Sequence, residues 1–432
     1  MTMDKLKNHL IGCDECGLIT NVPLLSQAQT AQCPRCGHTL TQTPQKPYQT
    51  AVALTISCLI LLVLSLTFPF MSFSVQGMTQ EITLLNAAKM LGEFQNVLLA
   101  ILLFTTVILF PALYITILLF VSFKAAQSTQ RQLSSSEIQR AKLLCKTLLT
   151  VQPWLMVDVF LIGVLVSLIK IASLAEVAMG YSFWAFCFFA MLVVKTVSLV
   201  DRYWLWQHFI PAQTPQGVNA GQTHCTHNSV SCHTCQQINL LRPDQKKPTC
   251  LRCGSRLHAY HPQLNLQWAW ALLLAAIIFY IPANLYPMMY TVSLGKSEGS
   301  TIMQGVLVLW QLGSYPVAMV IFLASIFIPM AKMFALGWLY WQAGKLNVFP
   351  EQQNLKRLKL YRVTEFIGRW SMIDIFVVAI LVALVQLHNL MAIYPGPAAL
   401  SFAAVVILTM LSAMVFDSRI LWQEPPVSHQ QQ

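Results

Sequence analysis

Eight apolar stretches, each about the length needed to cross a ~30 Å hydrocarbon core as a helix, dominate the chain. They run approximately over 51–71, 97–123, 148–172, 182–200, 266–290, 315–341, 370–387 and 398–416. Apolar residues make up 56% of the sequence and charged residues only 10%, against about 25% charged in an ordinary soluble domain. That deficit excludes a set of water-soluble domains and specifies a polytopic α-helical membrane protein. The first stretch follows a polar, cysteine-bearing segment and has no small-residue cleavage site after it, so it reads as a span rather than a signal peptide. Pro69, Pro111, Pro282, Pro287 and Pro329 fall in or beside spans, where each marks an end or a kink whose freed carbonyls need local partners.

The net charge of +11 would suggest nucleic acid in a soluble protein. In a membrane protein its placement matters more. Of 27 Lys and Arg, 22 fall in the N-terminal segment, the second, fourth and sixth connections and the tail. Lys89 and Lys296 lie on the opposite side, and Lys170, Lys195 and Lys332 fall inside or at the ends of spans. Because cytoplasmic loops retain Lys and Arg, both termini and the central segment are expected in the cytoplasm, as an even number of spans requires.

Eight of the 12 cysteines form two sets of paired CxxC. Cys13 and Cys16 go with Cys33 and Cys36; Cys232 and Cys235 go with Cys250 and Cys253. One CxxC knuckle presents two thiolates to a single ion, the glycine after three of the four knuckles permits a positive φ, and two knuckles complete a tetrahedral site. A structural zinc in each of two ribbons is the reading that ligand type favours. Iron stays open, because Cys33-Pro-Arg-Cys36-Gly also looks like a rubredoxin knuckle. A reducing cytoplasm argues against disulfides, and a redox pair needs only one CxxC. His224, Cys225 and His227 lie just upstream of the second set, but the spacing repeats better without them.

The repetition extends through the chain at an offset of 216 to 218 residues. Phe68-Pro-Phe-Met71 meets Tyr286-Pro-Met-Met289, Pro111 meets Pro329, Trp154 to Phe160 meets Trp370 to Phe376, and Asp201 with Trp206 meets Asp417 with Trp422. The expected architecture is therefore a tandem repeat of two four-helix transmembrane domains, each preceded by a four-cysteine ribbon. Its boundaries are a ribbon over 1–46, a membrane domain over 47–210, a second ribbon over 211–263, a second membrane domain over 264–424 and a tail over 425–432. Four spans per unit give parallel halves. Outside the membrane, residues 70–76 and Met288 to Leu294 read as short strands, and Thr83 to Leu91 and Ile302 to Trp310 as short helices. They form either a small cap or a docking surface for a periplasmic partner.

Ionisable residues at membrane depth are costly and point to function. Lys332 lies near the middle of the sixth stretch with Ser325 two turns back; Asp374 has Ser371 three residues before it, and Thr409 is deep in the last span. In the first half Asp158 corresponds to Asp374, Lys170 lies three turns further along, and Tyr114 stands where the second half has Lys332. A structural alternative places Asp158 and Asp374 at the interface and lets Lys170 snorkel.

Ile281-Pro-Ala-Asn-Leu-Tyr-Pro287, Gly313-Ser-Tyr-Pro-Val-Ala318, Gly368-Arg-Trp-Ser-Met-Ile-Asp374 and Phe416-Asp-Ser-Arg-Ile-Leu-Trp422, with the double ribbons, resemble the paraquat-inducible protein A family from Cys13 to about Trp422. The resemblance implies an inner-membrane protein of Gram-negative bacteria that works with a periplasmic MCE-domain tunnel protein, and through it with an outer-membrane lipoprotein, on phospholipid. It also implies a polar transport network of Ser325, Lys332, Ser371, Asp374 and Thr409. Lys170 matches a family lysine, but Ser173 stands where the family has an acid, so the first-half relay departs from the pattern.

There is no Gly-x-x-x-x-Gly-Lys-Ser/Thr loop and no nucleophile, base and oxyanion set, so an enzyme is not expected and proton-motive force or passive transfer is the energy source to consider. Two other classes remain: an iron-ribbon membrane redox protein, and a scaffold or sensor whose ribbons recruit a cytosolic partner. Nucleic acid ranks low, since the ribbons lack interleaved aromatic residues.

Overall fold

The computed structural model describes residues 9–422 except 24, 27, 44–46, 76–77, 87–88, 90–96, 129–133, 173–175, 214, 216, 224–228, 242–247, 258–259, 294–295, 312, 314, 346–349, 385 and 388–390. Two hairpins open the chain: β1 (His9–Gly12) with β2 (Ile19–Val22), then β3 (Thr30–Gln32) with β4 (Thr39–Gln42). The first span, α1 (Pro47–Thr67), leads to an antiparallel pair, β5 (Met71–Val75) and β6 (Met78–Ile82). Next come α2 (Val97–Leu103) and α3 (Phe110–Ser128), joined without a break by a π-helical turn over Phe104–Leu109. Helix α4 (Ser135–Val151) is followed by α5 (Val157–Ala172), β7 (Glu176–Met179), α6 (Tyr181–Leu199) and α7 (Arg202–Phe209).

The second ribbon contributes β8 (Ser229–Ser231) and β9 (Ile238–Leu240). Helix α8 (Pro262–Leu285) then leads to β10 (Met289–Ser293), β11 (Lys296–Ser300) and α9 (Ile302–Gln311). Helices α10 (Tyr315–Phe322) and α11 (Ile328–Gly344) flank a second π turn, Leu323–Phe327. The chain closes with α12 (Glu351–Trp370), α13 (Ile373–Leu384), β12 (Gln386–Leu387), β13 (Met391–Pro395), α14 (Pro397–Val415) and a 3₁₀ turn, Ser418–Trp422.

Among the described residues, seven helices are long and apolar enough to cross a membrane, which makes this a multi-pass membrane protein. Seven of the eight expected stretches fall among them. The exception is 370–387: its helix α13 has 12 residues, below the ~17 a spanning helix needs, whereas the third stretch counts through the run Ser135–Ile169, which takes in α4 and α5. The third stretch is not one unbroken helix: α4 ends at Val151, a 3₁₀ turn holding Pro153 follows, and α5 starts at Val157.

Both π turns have the same cause. Proline has no N–H and its ring crowds the carbonyl four residues back, and a wider turn just before it relieves that clash. Pro111 and Pro329 each follow such a turn, where Phe110 N–H reaches Thr105 O and Ile328 N–H reaches Leu323 O. The expected strands at 70–76 and 288–294 are present as β5 and β10. Each gains a third strand from a later connection, β7 and β13 respectively, to give sheets ordered β6-β5-β7 and β11-β10-β13-β12. Gly180 and Gly396 lock these sheets to the helices that follow: their N–H groups donate to Phe70 O and Met288 O, and a Cβ at either would collide with the carbonyl of Pro69 or Pro287. The helix expected at Ile302 to Trp310 is α9; of Thr83 to Leu91, Leu84, Leu85, Asn86 and Lys89 are helical, and 87–88 and 90–91 lie outside the described residues.

In the first half α1 packs against α3 and α6; in the second, α8 packs against α14 and α11. The halves meet where α5 crosses α13. Phe160 and Phe376, matched positions of the repeat, stack edge to face at 5.5 Å. Gly163 lets the backbones close, since a Cβ there would stand 3.0 Å from the Phe376 Cβ. Ser167 Oγ donates to Gly163 O at 2.8 Å and reaches Val377 O at 3.4 Å.

Candidate functional site

The two cysteine sets are gathered by four copies of one turn, two to each set. Gly17, Gly37 and Gly254 donate to the carbonyls of Cys13, Cys33 and Cys250, with φ of 75°, 69° and 70°. Where the second ribbon lacks glycine, Gln236 adopts φ 57° and donates to Cys232 O at 2.8 Å, a left-handed conformation unusual for a residue with a Cβ. The four Sγ atoms of each set lie within 4.8 Å of one another. The shorter separations are 3.4 and 3.5 Å in the first set and 3.5 Å in the second. That is well beyond a ~2.05 Å disulfide bond and close to the edge of a tetrahedron with ~2.3 Å arms. Free, converging and mostly buried thiols fit a metal ion. His224, Cys225 and His227 lie outside the described residues.

The ribbons are not independent beads. They hydrogen-bond to each other where Ile19 N–H donates to Gln222 O and Gly221 N–H donates to Ile19 O, both at 2.8 Å. The second ribbon sits on the helix that precedes it. Arg252, 2% exposed, donates from Nε to Ile210 O at 2.8 Å, from Nη1 to Cys235 O at 2.9 Å and from Nη2 to Gln207 Oε1 at 3.1 Å. The first ribbon instead ties the two halves together. Thr41 Oγ1 and Gln42 N–H donate to the Asp201 carboxylate at 3.1 and 2.9 Å, on the first half. Toward the second half, the Arg362 guanidinium pairs with Glu15 and donates to Cys36 O at 3.0 Å, Ser418 Oγ donates to Glu15 O at 3.1 Å, and Arg35 lies 4.6 Å over Trp422. Burial works to raise the Glu15 carboxyl, but hydrogen bonds from His38 and Arg362 hold it at about 2. Between the ribbons and the helix ends lies a polar cavity of about 840 Å³, lined by groups such as Asp14, Asp201, His233, Tyr260 and Arg419.

Inside the second half, Lys332 is 3% exposed and its Nζ donates to Thr409 Oγ1 at 3.0 Å. Thr409 Oγ1 donates onward to Val406 O at 3.0 Å. Ser325 is buried in the π turn before Pro329 and lines a separate, mostly apolar cavity of about 140 Å³ with Ile162, Val166, Ile302 and Val377. Ser371 is buried at the break between α12 and α13. Of the five expected network residues, the structure therefore joins Lys332 to Thr409 and places Ser325 and Ser371 elsewhere in the same core. Asp374 is the second residue of α13 and Lys170 lies in α5, but their side chains are outside the described residues, as is Ser173. Asp158, the second residue of α5, is half-buried in a first helical turn, where a carboxylate complements the helix dipole.

A family model described as Paraquat-inducible protein A matches residues 48–210 and 266–425. The chain is 40% identical over 429 residues to the "Intermembrane transport protein PqiA" of Escherichia coli (strain K12), covering 98% of each chain. It is 30% identical over 417 residues to a "Probable intermembrane transport protein" of Haemophilus influenzae, covering 96% of each. Against the "Lipophilic envelope-spanning tunnel protein A" of Escherichia coli (strain K12) the identity is 27% over 414 residues, covering 95% of this chain and 90% of the relative. No solved structure matches.

Proposed function

The chain belongs to the paraquat-inducible protein A family, and from that premise we propose that it is the inner-membrane component of an intermembrane lipid transport system. In this reading it passes phospholipid to or from a periplasmic MCE-domain tunnel that reaches toward the outer membrane, and it catalyses no covalent reaction. Both termini and both ribbons face the cytoplasm, in keeping with the 22 basic residues on that side. Each ribbon holds one zinc ion through four thiolates. The ion supplies a structural cross-link, while Arg252 and Arg362 carry its effect to the membrane helices.

The observation that carries the proposal is Lys332, an ionisable group sealed in a helical core and held by a hydroxyl. Burial of such a group is costly, and transport proteins place such groups where a proton or a substrate is handled. Names of relatives that speak of intermembrane transport and an envelope-spanning tunnel support the same reading. Lys332 and its partner Thr409, with Ser325, Ser371 and Asp374 of the same half, are the residues whose rearrangement gates lipid passage, whether that passage is driven by proton-motive force or passive. The test is lipid transfer and envelope-stress resistance in cells carrying Asp374→Asn or Lys332→Ala at normal expression. Loss in both supports the gate; retention in both overturns it.

A further inference from the structure

We propose that Gly368 is a positioning residue for the Lys332 ammonium, seating it against the last turn of α12; this rests on the reading that Lys332 serves transport. A Cβ built on Gly368 would stand 3.1 Å from Lys332 Nζ and 3.3 Å from Cε, closer than side chains normally approach. The ammonium has little room to retreat, because it is buried and already bonded to Thr409 at 3.0 Å. Gly368 is the third residue from the end of a 20-residue helix. The last carbonyls of a helix lack intrahelical donors, and its C-terminus carries the negative end of the dipole, so a cation pressed onto this turn is favoured. Any side chain at 368 would hold the cation away.

The other half of the molecule provides an internal comparison. At the repeat offsets, Tyr114 occupies the position of Lys332, Gln152 that of Gly368 and Val193 that of Thr409. Where the lysine is absent, the glycine beneath it and the hydroxyl beside it are absent too. A glycine needed only for helix packing has no reason to vary with the lysine. Glycine is also a poor helix former relative to alanine, so its presence in this turn calls for a steric cause.

The full-length protein in detergent provides the test, through a thermal double-mutant cycle with phospholipid transfer measured beside it. Gly368→Ala is expected to lower the melting temperature by about 1–3 °C and to slow transfer several-fold. In the Lys332→Ala background the same substitution should leave the melting temperature unchanged or raise it, because alanine then fills vacated space and favours the helix. If Gly368→Ala alone does not fold, restored folding of the double variant carries the same meaning. An equal loss of stability in both backgrounds overturns the proposal, since glycine is then serving packing alone. Opposite signs in the thermal cycle, with transfer unaffected by Lys332→Ala, would leave the seat standing and remove the transport reading beneath it.

Discussion

Replacing Lys332 by Met should make the protein more stable and less active. Methionine keeps the length of the buried stem and removes the ammonium. Thr409 Oγ1 keeps its 3.0 Å bond to Val406 O, so no hydroxyl is orphaned. Exchanging a buried ionic group for an apolar one of similar volume is often neutral or stabilising, by about 1–4 kcal/mol. The described hydrogen bond of the ammonium goes to a neutral hydroxyl, that of Thr409, and the expected gain is about 2 kcal/mol. Lys332→Ala is less clean, because truncation also leaves a cavity costing about 2–3 kcal/mol. Thermal unfolding in detergent reads the stability, and phospholipid exchange between vesicles reads the activity. A Met variant that is destabilised and loses activity in proportion would show Lys332 to be a structural group. A Met variant transferring at the wild-type rate would refute its role in transport.

Other consequences follow from the ribbons and from the sheets. Cys13→Ser and Cys232→Ser should each reduce bound zinc from two equivalents to one, read by elemental analysis of purified protein, and the double variant should bind none. Arg252→Lys should destabilise the second ribbon by about 3 kcal/mol, because an ammonium cannot serve Ile210 O, Cys235 O and Gln207 Oε1 together; hydrogen exchange should show faster opening at β8 and β9. Gly396→Ala drives a Cβ into the Pro287 carbonyl, a clash with backbone that should cost about 3 kcal/mol or more and depress the melting temperature. Gly305→Ala, with nothing near its Cβ position, serves as the control and should be neutral or slightly stabilising.

Elements with a local signal were readable from sequence. Seven apolar stretches, the strands beginning at Met71 and Met289, and the convergence of the cysteines all depend on short-range pattern or on a chemistry with fixed spacing. Two amphipathic helices, α4 and α12, lie in or overlap the connections that sequence marks as basic and cytoplasmic, because their charges carry the topology signal and mask the helical period. Leu358 and Tyr361, three apart and both buried, are the trace of it in α12. Strands β7 and β13 are four and five residues long and lie against the ends of apolar helices, so hydropathy merges them with the spans. The clamp made by the first ribbon had no readable signal. Arg362 and Glu15 are 347 residues apart, and either one alone is an ordinary surface charge. Gly368 was likewise visible only as part of a motif until Lys332 was placed against it.

The central claim is that this chain moves phospholipid and that Lys332 gates the movement. Its most direct test is transfer of a labelled phospholipid from proteoliposomes holding the purified protein and the proposed periplasmic MCE-domain partner to acceptor vesicles. Transfer should require both proteins and should fall to background with Lys332→Met while the complex stays intact. Transfer by the MCE partner alone, or at an undiminished rate with Lys332→Met, would contradict the account.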